Sequence, residues 1–123
     1  MSGMNRIVLV GRVGSEPELR QSKDGVPWLW ISVATDRRVK KDGAWEDETD
    51  WHRVNLFGTA AERTMRLAQK GTLVAVEGSM IYEKWTDEDG KVRRMPKVMA
   101  DRISFLDRMR ARPEAHAPMA AEA

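Results

Sequence analysis

Only one stretch of this chain has the apolar spacing of a helix. Every other apolar segment is a run of alternating or β-branched residues, closed off by glycine, proline or a charged turn. Asn5–Arg12, with Ile7, Val8 and Val10 running into Gly11, reads as a first strand, and Gly14, Pro17, Asp24-Gly25 and Pro27 punctuate the connection that follows. Trp28–Asp36 alternates, with Leu29, Ile31 and Val33 on one face and Trp28, Trp30, Ser32 and Ala34 on the other. Residues 37–48 read as a charged loop around Gly43, and Thr49–Phe57 as a third strand. The helix comes next. Thr59-Ala60-Ala61-Glu62 has the form of a capping box, Ala61, Met65 and Ala68 share a face beside Leu67, and Gly71 stands at the expected stop. Thr72–Glu77 and Met80–Trp85 make a fourth strand, bent or bulged at Gly78. After the turn Asp87-Glu88-Asp89-Gly90 the chain returns through Val92–Phe105, with Pro96 at an edge or bulge position.

Five strands with one helix between the third and fourth is the layout of the OB-fold, a small Greek-key barrel, so the predicted class is mainly β. A chain of 123 residues and 14.0 kDa has room for one domain. That domain is assigned to residues 1–107. From Arg108 to Ala123 the composition shifts to alanine, proline and scattered charge, which predicts a short disordered tail. Cysteine is absent, which excludes disulfides, thiolate metal sites and cysteine nucleophiles, and two histidines exclude a His-rich metal centre. The apolar run Ile7–Val10 is too short for a signal peptide or a membrane span, and no Arg/Ser-rich transit segment precedes Asn5. A soluble cytoplasmic protein with no membrane partner is therefore expected.

The formal charge of +2, from 21 basic and 19 acidic residues, is too mild to mark a polyanion binder by itself. Arrangement has to do so. In the third strand Val54 and Leu56 form a core-type face with His52 in line, while Trp51, Arg53, Asn55 and Phe57 share the other face. The second strand repeats this with Trp28 and Trp30. Two strands that turn aromatics away from the core make a platform on which bases of any identity can stack. For Trp28 and Trp30, a subunit interface or a cover on the barrel mouth explains the rings equally well. The hairpin adds Lys84-Trp85 on one strand and Lys91, Arg93, Arg94 and Lys97 on the other, and Arg37-Arg38-Val39-Lys40-Lys41 is a second basic block. With Trp45 and the platform strands, that block forms a candidate wall of one groove. Phosphates would be drawn to Arg37, Arg38, Lys84, Arg93 and Arg94.

Catalysis is set aside. Glu46, Asp47, Glu48 and Asp50 could hold a divalent cation, but they lie among as many basic residues, and the turn at Asp87 lacks the spacing of a calcium loop. Gly11-Arg12-Val13-Gly14 follows a strand, so its glycines shape a barrel bend rather than clamp a backbone. No metal, cofactor or catalytic residue is predicted.

The motifs Asn5-Arg6-Ile7-Val8-Leu9-Val10-Gly11, Pro17-Glu18-Leu19-Arg20, Trp51-His52-Arg53-Val54, Leu56-Phe57-Gly58, Val76-Glu77-Gly78 and Lys84-Trp85-Thr86-Asp87 arrive in order. Across residues 4–106 the chain closely resembles the bacterial-type single-stranded DNA-binding proteins (SSB). The resemblance implies base stacking on Trp51, Phe57 and Trp85, and a DNA path lined by Lys70, Lys84 and Arg93. It also implies a subunit-interface position for His52 and a homotetramer that coats and protects single-stranded DNA in replication, recombination and repair. Departures accompany it. Val39 stands where the family commonly has a further stacking tryptophan, and Glu83 and Ile81 where relatives often carry a cation. Trp28 and Trp30 replace aliphatic or small residues, and one or both are candidates to supply the missing stacking site. The chain ends Pro-Met-Ala-Ala-Glu-Ala without the family's acidic tip, so recruitment of repair enzymes through that tip is not expected. The alternative reading is an accessory, primosome-type OB-fold protein acting mainly through protein partners; the joint retention of Trp51, Phe57 and Trp85 favours DNA.

Overall fold

The computed structural model describes residues 2–107. The segment read from its composition as a disordered tail lies outside them. Within them the chain runs β1 (Ile7–Val13), β2 (Arg20–Gln21), β3 (Pro27–Lys41), β4 (Ala44–Phe57), α1 (Gly58–Leu67), β5 (Leu73–Thr86) and β6 (Val92–Phe105). The sheet order is β1-β5-β6-β4-β3-β2, and β1 also pairs with β3, which closes the five long strands into a barrel. The predicted class and the place of the helix among the long strands hold; the two-residue β2 is an addition the sequence did not signal. β1 pairs with β5 from Ile7 to Arg12 and then with β3 at Arg12 and Val13, so the strand changes partner at Arg12, between the two glycines predicted to shape the bend. Among the described residues the only parallel contact is short, Val54 and Asn55 of β4 beside Val98 and Met99 of β6.

The alternation read from the sequence determines what is inside. Leu29, Ile31 and Val33 of β3, Val54 and Leu56 of β4, and Val74 and Val76 of β5 are completely buried. The helix closes the barrel with Ala61, Thr64 and Ala68 rather than with the predicted Ala61, Met65 and Ala68; Met65 is exposed. Burying Thr64 is possible because its hydroxyl donates to the Ala60 carbonyl at 2.8 Å.

Three local expectations are corrected. Residues 37–48 are not a loop: β3 and β4 continue as a two-stranded arm, paired in register from Trp28↔Phe57 to Lys41↔Ala44. The arm turns at Asp42-Gly43, where both residues have positive φ (51° and 80°), as a two-residue hairpin turn of the right twist requires. The capping box does not form. Helix α1 starts at Gly58 after an extended Phe57 and has no side-chain cap, because Thr59 already lies inside the first turn. The helix also stops before Gly71, at Ala68, whose N–H still reaches the Thr64 carbonyl at 2.9 Å; Gly71 instead donates to the Val13 carbonyl at 2.7 Å, tying the α1–β5 turn to the end of β1. The bulge expected at Gly78 is present, as a register shift between Glu77 and Gly78. Asn5 precedes β1 and extends its pairing by side chain, donating to the Met80 carbonyl at 2.7 Å and accepting from the Met80 N–H at 2.9 Å.

Candidate nucleic-acid interface

Because residues in a strand alternate between faces, the residues of β4 that are not in the core share the outside of the barrel: Trp51, Arg53, Asn55 and Phe57. Trp51 is 63% exposed and Phe57 43% exposed, so both rings present apolar surface to solvent. Across the β3–β4 ladder, Trp28 lies opposite Phe57 and the two rings stack, with centroids 6.2 Å apart and planes 24° from parallel. Trp30 is covered differently: the Arg53 guanidinium lies over its ring at 4.4 Å. Both tryptophans therefore stand on the platform. Each is engaged by its neighbour on β4, one widening the Phe57 surface and the other holding the Arg53 side chain down. Arg20 of β2 lies over Trp28 at 5.9 Å.

The floor under Trp51 is Gly14. A Cβ there would enter the Trp51 ring, so that ring rests directly on backbone. Sequence reasoning assigned Gly14 only to a bend, and no local signal marks its contact with a residue 37 positions away. A groove beside Trp51 is lined by Gly11, Ala34, Thr35, Asp36 and Thr49 among others. His52, on the inner side of β4, is half-buried, and its Nε2 shares a hydrogen bond with the Thr35 hydroxyl at 2.9 Å.

The β5–β6 hairpin continues the outer face. Met99 is the register partner of Asn55, and counting by twos from it along β6 and its β5 partners brings Lys97, Glu83, Arg93 and Trp85 to the same side. Lys97, one of the hairpin cations read from the sequence, is buried and paired to Glu83 at 2.6 Å, so the carboxylate that stands where relatives often carry a cation neutralises a neighbour on this face. Trp85 is 46% exposed opposite Arg93, whose Nε donates to Asp87 at 2.7 Å and leaves its terminal nitrogens outside that bond. Lys84 and Arg94, opposite each other, point to the reverse side of the hairpin.

The β3–β4 arm splits the basic block in the same way. Arg38 and Lys40 share the face of Trp51, whereas Arg37 and Lys41 lie on the other, where Arg37 pairs with Glu48 at 3.1 Å and Asp50 at 2.9 Å and Lys41 with Glu48 at 2.7 Å. Lys70 is exposed in the α1–β5 turn, which the Gly71–Val13 bond brings to the Gly14 end of β1. The structure thus places Trp28, Trp30, Trp51, Arg53, Phe57, Trp85 and Arg93 on the outer face, while Arg37, Lys84 and Arg94 stand on reverse faces.

Among the described residues no group of three or more His, Asp or Glu side chains is arranged to hold a metal ion, and the carboxylates of the 46–50 segment lie along the arm beside its cations. No helix among them is long and apolar enough to cross a membrane.

Three carboxylates on the two arms are held below their ordinary range: Glu48 by Lys41 and then Arg37, Glu83 by Lys97 and then Arg53, and Asp87 by Arg93 and the Lys91 N–H. A carboxylate whose folded pKa is depressed contributes stability above its unfolded pKa and loses that contribution as pH falls through the folded value. Urea midpoints are therefore expected to hold near neutral pH and decline below about pH 4. The decline should be shallow, because the pairs are exposed. Glu83→Gln should flatten part of it; an unchanged acid limb in that variant would remove the Lys97 pair from the account.

Comparison with known proteins agrees with this geometry. Residues 4–106 match the single-strand binding protein family. The single-stranded DNA-binding protein 1 of Xylella fastidiosa strain 9a5c is 38% identical over 108 residues, covering 86% of this chain and 79% of that one. The single-stranded DNA-binding protein of X. fastidiosa strain Temecula1 is 36% identical over 105 residues, covering 85% of this chain but only 64% of its own length. Among solved structures, a Plasmodium falciparum SSB in complex with ssDNA superposes with a TM-score of 0.77 at 26% identity, covering 87% of this chain and 98% of that one. The barrel, its outer aromatic face and these matches lead to one statement: the chain belongs to the single-strand binding protein family.

Proposed function

We propose that this protein binds single-stranded DNA without strong sequence preference, coating and protecting it during replication, recombination and repair. The observation that carries the reading is the outer face of β4, where exposed Trp51 and Phe57 flank the Arg53 guanidinium. Bases stack on Trp51, Phe57 and Trp85, and the cations on that face meet phosphates. Trp28 and Trp30 act from β3, Trp28 as part of the Phe57 platform and Trp30 as the surface that orients Arg53. The relatives named single-stranded DNA-binding proteins, and the P. falciparum SSB solved with ssDNA, support the same reading.

The strand follows the aromatic face, so the cations of that face contribute most to the salt dependence. Arg93→Ala is expected to flatten the slope of log K against log salt by about 0.7, the single-strand value per phosphate contact. Arg37→Ala, on the reverse face and already paired with two carboxylates, should leave the slope unchanged. Equal effects from the two variants would mean that the path does not follow the aromatic face. Lys84, Arg94 and Lys70 contribute where the strand crosses an edge of the barrel or of the hairpin.

The active form is a homotetramer, as the resemblance implies, in the cytoplasm and associated with the nucleoid. Its chemistry is binding rather than catalysis. The open edge of β1 supports self-association: Ile7–Val10 pair with β5 on one side only, and Val8 and Val10 are exposed. His52 lies near the partner change of β1 and is the interface position the family resemblance supplies.

The test is intrinsic tryptophan fluorescence during titration with oligo(dT), at low and high salt, with duplex DNA as control. Strong quenching by oligo(dT), weakened but not abolished by salt and absent with duplex, is the expected result. No quenching would put the aromatics in protein contacts and move the accessory, partner-binding reading to first place.

A further inference from the structure

We propose that Trp45, near the tip of the β3–β4 arm, is an additional base-stacking site, so that β4 carries three stacking rings in one line. The proposal rests on the single-stranded DNA reading above and extends the binding path from the barrel onto the arm. Its basis is the pleat. The β3–β4 register runs unbroken from Trp28↔Phe57 to Lys41↔Ala44, so the alternation of faces is never interrupted along β4. Trp45, Trp51 and Phe57, six residues apart each time, therefore lie on the same face, at intervals of about 20 Å along the strand. A loop at 37–48 would have left no such relation.

The second observation is exposure with a cationic surround. Trp45 is 59% exposed and belongs to no part of the barrel core, so most of its ring is open to solvent. Its ring contacts are the Arg38 guanidinium at 5.9 Å and the Lys40 ammonium at 5.8 Å. Lys40 makes no ion pair among the described residues, and Arg38 makes one at 3.4 Å with exposed Asp47. A cation over an exposed ring is held more weakly than a stacked base. An incoming base therefore displaces a cation from the ring, and that cation remains within reach of the adjoining phosphate.

A Lys–Trp pair across a hairpin also staples it, so the test must read base contact rather than arm stability. The full chain is labelled with 5-fluorotryptophan, giving five fluorine resonances for its five tryptophans, each assigned by a single Trp→Phe variant. It is then titrated with oligo(dT) of increasing length. The Trp51 and Trp85 resonances are expected to shift with short oligomers, and that of Trp45 only once the strand is long enough to leave the barrel. Trp45→Ala should weaken binding of the long oligomer about fivefold or more and leave the short one unchanged, while Trp45→Phe, which keeps a ring, should retain most of the affinity. A Trp45 resonance that stays still while Trp51 and Trp85 shift at every length would overturn the proposal and leave the single-stranded DNA reading intact. If none of the five moved, both would fall.

Discussion

Replacing Trp51 by alanine is expected to weaken binding of oligo(dT) by about 5- to 150-fold, the range of about 1–3 kcal/mol that one stacked base contributes. Trp51 is the most exposed ring on the barrel platform, and its position is set by contact with the backbone at Gly14 rather than by burial. The substitution therefore removes a binding surface without opening a cavity, and the melting temperature should hardly change. Nor should the salt slope, since no charge is lost. Gly14→Ala provides a companion test: a Cβ at that position enters the ring and must push it off its floor. Affinity should fall in the same direction with the ring still present. Titration of the two variants beside the wild type checks both, and an unchanged affinity for Trp51→Ala would remove this ring from the path.

Gly78→Ala is expected to have the largest effect on folding. Gly78 sits at the register shift between β5 and β6, and a Cβ there would overlap the Met99 carbonyl oxygen and crowd the Ala100 Cα. Both obstacles are backbone, so no side-chain rotation relieves them and the two strands must separate. The cost is about 3 kcal/mol, the upper end for overpacking, and the melting temperature should drop by roughly 10 to 20 °C. Thermal melts followed by circular dichroism measure it. A loss of a degree or two would mean that the bulge yields without breaking the ladder.

Both predictions depend on contacts between residues distant in sequence, and this marks the boundary of what could be read from the chain. The alternation of Leu29, Ile31 and Val33 against Trp28 and Trp30 identified a half-buried strand and its inward side, because the period of a strand is local. The same logic identified Val54 and Leu56 as core, and Trp51 and Phe57 as outward. The arm was misread as a loop because residues 36–50 carry charge on both faces, and a two-stranded ribbon with no core on either side leaves no hydrophobic period. The one signal present was Asp42-Gly43, a dipeptide suited to a two-residue hairpin turn. The capping box failed for a related reason: the sequence pattern was present, but the extended approach of Phe57 started the helix one residue before Thr59.

Charge shows the same division. Lys84 and Trp85 look like one unit in sequence, as do Arg37 and Arg38, yet adjacent residues of a strand point to opposite faces. Which cations accompany the rings follows from pairing, and so does the neutralisation of Lys97 by Glu83. By itself the sequence determined the succession of the five long strands, the single helix and the inward residues of the strands, because these follow from local periodicity. Only the tertiary structure decided that Gly14 supports Trp51, that Arg53 covers Trp30, and that Trp45 shares a side of the β4 pleat with Trp51 and Phe57. Each of those depends on the register in which distant strands meet.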